Sequence, residues 1–154
     1  MDLFESANSL LTEGISISEL YSDFKKQFAH KFTPQVYGKQ DNCVMGALDL
    51  FNFIDGRLDP VEKAIKGVKI VWGKYKVNED TELTHCWVEA GADILDPSGE
   101  LQLVKSGLVK HLEDDNYEPE DEYASLSSFM SHREGWDKYI SEIRLGKNLT
   151  LYQK

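Results

Sequence analysis

The chain has 154 residues, 41% apolar, 11% aromatic and 29% charged, an ordinary globular composition and the length of a single domain, 1–154, with a sizeable core. No apolar run approaches the roughly 18–20 residues of a membrane span, and a net charge of −10 argues against a surface for nucleic-acid phosphates, which need clustered Lys and Arg. Two cysteines make no disulfide framework, and the N-terminus shows no basic stretch ahead of an apolar core, so a reducing cytoplasm is the expected compartment.

Ser16-x-x-Glu19 has the form of a capping box, and Ile17, Leu20, Tyr21, Phe24 and Phe28 follow on one helical stripe. Pro34 is expected to end that helix. Asn42 is placed to cap a second helix over 43–55, with Val44, Ala47, Leu48, Phe51 and Ile54 facing the core and Gly56 closing it. Asp59-Pro60 opens a short third helix that Gly67 stops.

From there the period changes. Residues 68–77 are rich in β-branched and aromatic side chains and read as a strand, 83–89 as a second and about 92–96 as a short third. The stretch "LQLVKSGLV" is ambiguous, with further strand as one reading. The segment 112–123, "LEDDNYEPEDEY", carries seven acids and no base. It reads as a solvated loop held extended by self-repulsion, or else as a lure for a basic protein partner or a phosphate mimic. Ser131-x-x-Glu134 then precedes a last helical stripe of Trp136, Tyr139, Ile140 and Ile143, and Gly146 stops it. Helices, an antiparallel sheet, then a helix give an α+β fold.

The hairpin "THCWVEAGADILDPSGE" carries the first chemical signal. A two-residue turn at Ala90-Gly91 pairs Val88 with Asp93, Trp87 with Ile94, Cys86 with Leu95 and His85 with Asp96. Opposed side chains at that separation let a carboxylate hold an imidazole in one tautomer. A three-residue turn would break the pairing. Alternation puts Leu83, His85, Trp87 and Glu89 on one face and Thr84, Cys86 and Val88 on the other. Cys86 then points away from His85 and reads as a buried hydrophobe. Neither the cysteines nor the four histidines show metal-ligand spacing, so no metal is expected.

Cys43 is the candidate nucleophile. It opens the second helix, where a partial positive charge and unpaired N–H groups favour a thiolate and can bind an oxyanion. Cysteine, histidine and aspartate thus appear in order, each on its own element.

"DNCVMGALDLFNFID" followed by "ELTHCWVEAGADILDP" resembles the Cys–His–Asp core of the transglutaminase-like branch of the papain-like cysteine enzymes, over roughly residues 40–98. The resemblance implies a helix bearing the cysteine packed on an antiparallel sheet bearing His and Asp, here with flanking N- and C-terminal helices. It implies Cys43 as nucleophile, His85 as general base and acid, and Asp96 as orienter, with no cofactor. Val44 stands where family members often carry an aromatic residue. Gln40 lies three residues before the cysteine, whereas papain-type enzymes place an oxyanion glutamine six before. Gln40, Asn42 and Trp87 are the candidates for oxyanion or substrate contacts, although Asn42 also serves as a helix cap and Trp87 as a site wall.

The expected function is a cysteine hydrolase or acyltransferase acting on a protein or peptide-like amide. The rival is an inactive binding module of the same fold that works through its acidic surface.

Overall fold

The computed structural model describes residues 16–39 and 42–131. The expected C-terminal helix and Gln40 lie outside them. An α+β architecture holds: a four-stranded antiparallel sheet packs against helices. The elements are α1 (Ile17–Gln27), α2 (Cys43–Asp55), α3 (Pro60–Lys66), β1 (Val68–Asn78), β2 (Thr81–Ala90), β3 (Asp93–Leu95), α4 (Pro97–Gly99), β4 (Tyr117–Tyr123) and α5 (Leu126–Met130). The sheet order is β3-β2-β1-β4.

Ser16 caps α1 by accepting the Glu19 N–H at 3.0 Å. The helix stops at Gln27, well ahead of Pro34. A run of turns follows, and it brings Tyr37 back against Phe24, ring centroids 6.0 Å apart. Tyr37 is buried there, its hydroxyl donating to Asp49 Oδ2 at 2.6 Å. A straight continuation of α1 would forgo that burial. α3 has the full capping box between Asp59 and Glu62, with Gly67 left-handed at its end.

α2 is apolar almost all round, as a central helix must be. Gly46, Leu50 and Phe53 join the predicted stripe in the core, while Leu48 is only half-buried. It packs on β1, β2, α1 and α4. Apolar clusters cover both faces of the sheet. Phe24, Leu50, Ile54, Ile70, Cys86 and Val88 belong to one. Val71, Tyr75, Leu83, Trp87, Leu103 and Tyr117 form the other. The alternation expected along β2 is therefore present, with Cys86 and Trp87 on opposite faces.

Two expectations need correction. "LQLVKSGLV" forms no strand: α4 continues as a π-helix over Glu100–Val104, which buries Leu101 and Leu103. The acidic segment is not a free loop. After a 3₁₀ turn at Asp114–Asn116 it becomes β4, an edge strand paired with β1, with both terminal tyrosines buried and five residues between them exposed. Those five include Pro119 and four acids, the kind of side chains that keep an exposed edge from recruiting another strand. A short helix, α5, follows, capped by Ser125 at its start and by Ser131 at its end; the expected box from Ser131 to Glu134 runs outside the described residues.

Register between β1 and β4 slips between Trp72 and Gly73. At Gly73 the β4 backbone comes so near that an added Cβ would run into the Glu118 carbonyl oxygen. Gly73→Ala is expected to lower stability by about 1–3 kcal/mol through overpacking, read as a fall in the urea midpoint. An unchanged midpoint would show that β4 can shift freely.

Candidate active site

Three elements converge on one buried cluster. Cys43 is the first residue of α2, His85 lies in β2, and Asp96 follows the last residue of β3. Their exposures are 1%, 0% and 2%.

The hairpin register differs from the expected one. Val88 pairs with Leu95, Glu89 with Ile94 and Ala90 with Asp93, so the turn residues are Gly91 and Ala92. Gly91 takes positive φ, 61°, at the first turn position rather than the second, the arrangement of a type II′ turn. The slip is two residues. A two-residue slip keeps every side chain on its face, whereas one residue would invert them. Asp96 thus stays on the His85 side, but as a diagonal neighbour beyond the end of the β2–β3 ladder. Its backbone (φ −136°, ψ 84°) begins the turn into α4.

His85 Nε2 and Asp96 Oδ2 are 2.7 Å apart and fully buried. Oδ2 also accepts the Tyr117 hydroxyl at 2.6 Å, and Oδ1 accepts the Gly99 N–H at 2.9 Å. Three donors therefore fix the carboxylate. Gly99 has no room for a side chain, since a Cβ there would run into that carboxylate.

Nδ1 of His85 makes no hydrogen bond of good geometry. Cys43 lies near enough to act on the ring. Burial disfavours the charged imidazole. The Asp96 charge and hydrogen bond outweigh it, with Cys43 adding to them, and His85 is pushed up to about 10. The balance favours the charged ring beside Asp96. Burial pushes the Cys86 thiol well up, and the neighbouring Cys43 and Asp96 add to that. Cys86 is thereby kept neutral.

The other candidates take these places. Trp87 is buried beside His85, ring centroids 6.0 Å apart, and its N–H donates to Glu89 Oε2 at 2.8 Å, so it forms a wall of the site. Asn42 sits at the N-cap position of α2 without capping it, and its side-chain amide donates to the Val36 carbonyl at 2.8 Å. A cavity of about 560 Å³ reaches the cluster from the Asp96 side, with Phe32, Ile94, Asp96, Lys105, Leu112 and Tyr117 in its lining. Among the described residues no group of three His, Cys, Asp or Glu could hold a metal ion, and no helix is long and apolar enough to cross a membrane.

Tyr117 is the site residue that the sequence conceals. It begins an acidic run that reads as loop, and only the pairing of that run as β4 carries its hydroxyl to Asp96.

No protein-family model, no curated protein and no solved structure matches the chain.

Proposed function

We propose that the chain is a cysteine hydrolase or acyltransferase with a papain-like, transglutaminase-like core, acting through an acyl-enzyme at Cys43. One observation carries the reading: a buried imidazole bonded to Asp96 through Nε2 at 2.7 Å, its Nδ1 without a hydrogen-bond partner, close to a buried cysteine at a helix N-terminus. A structural histidine would ordinarily satisfy both nitrogens when buried.

In the proposed reaction the Cys43 thiolate attacks the carbonyl carbon of an amide or ester. The carbonyl π electrons move onto oxygen, and the first N–H groups of α2 are placed to stabilise that charge. As the tetrahedral adduct collapses, His85 gives its proton to the departing amine and a thioester remains on Cys43. Water or an acceptor amine then attacks the thioester while His85 takes up its proton, which restores the thiolate–imidazolium pair. A protein or peptide-like amide is the proposed substrate class. Because the sulfur is buried, its cover must be displaced when the acyl donor binds.

Exposure to p-nitrophenyl acetate tests this. A burst of about one equivalent of p-nitrophenolate is expected, with the acetyl group on the peptide bearing Cys43. The burst should vanish in Cys43→Ser and slow by about a hundredfold in His85→Gln. Slow, equal acetylation of Cys43 and Cys86 would refute the proposal.

The burial of Cys43 favours a second reading, an inactive module that binds a basic partner through the exposed acids of β4. That reading requires Cys43→Ser to leave partner capture intact and charge reversal at Glu118, Glu120, Asp121 and Glu122 to abolish it.

A further inference from the structure

Tyr117 starts the edge strand β4 and is separated from β2 by β1, yet its phenol reaches the carboxylate beside His85. The contact is specific in its atoms. Tyr117 donates to Oδ2, the same oxygen that holds His85 Nε2, while Oδ1 is taken by Gly99. The ring is fixed independently of that bond. It stands nearly edge-on to Tyr75 and Trp87, with centroids 4.7 Å and 4.8 Å away. Burial first, and then the Asp96 charge, push the phenol's pKa well up, so it stays a donor throughout the working pH range.

We infer that Tyr117 is a positioning residue: by sharing Oδ2 with His85 it moderates the pull of Asp96 on the imidazolium proton and fixes the oxygen that orients the ring. The assignment of a catalytic consequence rests on the cysteine-enzyme reading above. Two donors on one carboxylate oxygen divide its negative charge. Without the phenol, Asp96 would hold the Nε2 proton more tightly. His85 would remain a good partner for a thiolate but become a poorer acid toward a departing group.

Tyr117→Phe keeps the ring and its packing and removes only the hydroxyl. In this variant the proton on His85 Nε2, assigned by its loss in His85→Gln, should resonate downfield of its wild-type position. With p-nitrophenyl acetate, whose leaving group needs no proton, the acylation burst should persist, while turnover of an anilide such as p-nitroacetanilide, whose amine must be protonated to leave, should fall about tenfold, the scale of one hydrogen bond to a charged group. Near-ultraviolet circular dichroism reports whether the fold is retained. An unmoved resonance overturns the inference, whether or not turnover falls, because a change in turnover alone would come from packing. A downfield shift in a protein whose Cys43 is never acylated upholds the effect on Asp96 and His85 and counts only against the enzyme reading.

Discussion

Asp96→Ala is expected to lower the unfolding free energy by about 3–5 kcal/mol, the range for removing one partner of a buried ion pair. The size follows from what the carboxylate holds. His85 Nε2, the Tyr117 hydroxyl and the Gly99 N–H all donate to it, and the two side-chain donors are buried with it. Removing it leaves a buried imidazole without its counter-charge, a buried phenol without an acceptor and α4 without its N-cap. Asp96→Asn should cost less, because the amide oxygen can still accept some of these bonds. Urea unfolding of the two variants measures the difference. A loss under about 1 kcal/mol for Asp96→Ala would mean that water replaces the carboxylate and that the cluster is wetter than its exposures indicate.

The second large effect is on the pH profile of stability. The folded protein raises His85 from an ordinary 6.5 to about 10. Below about 6.5 both folded and unfolded chains carry the proton, and the contribution of the charged ring to stability is complete. Between 6.5 and 10 only the folded chain keeps it, so the unfolding free energy should decline as pH rises, by on the order of 4 kcal/mol across the window. Cys86 and the buried phenols of Tyr21 and Tyr117 are also raised by burial first. They stay neutral in the fold and deprotonate when unfolded, so they add losses only above about pH 9–10. In His85→Gln, which can still donate to Asp96, the decline between 6.5 and 9 should flatten. A wild-type curve that is level from pH 6.5 to 9 would show that the ring is neutral in the fold and would remove the imidazolium from the site.

The helices and strands near the site were legible because their signals are local. The apolar stripe of α2 and the Asp59–Glu62 box of α3 each lie within one or two turns of chain, and the alternation of β2 follows from the pleat. The His85–Asp96 pair was legible through face parity, which survives a two-residue slip. The register itself was not, because Gly91 supplies positive φ equally well at either central position of a two-residue turn. What failed depended on partners distant in sequence. Tyr37 turns the chain back on Phe24 and so ends α1 early. β1 accepts the acidic run as an edge strand, and "YEPEDEY" favours a strand only at its two terminal tyrosines, since Pro, Glu and Asp are all poor strand formers. Tyr117 was lost with that strand.

The double attachment of Asp96 bears on descent. One of its oxygens holds the turn into α4 through Gly99, and the other orients His85. Under the proposed enzyme reading, a lineage without that chemistry would still need the carboxylate at 96 and the glycine at 99 to make that turn, so those two mark inheritance of the backbone. Only Cys43 and His85 kept together would mark inheritance of a reaction. A relative with Asp and Gly at those positions but an apolar residue in place of Cys43 should be expected to fold in the same way and to be chemically silent.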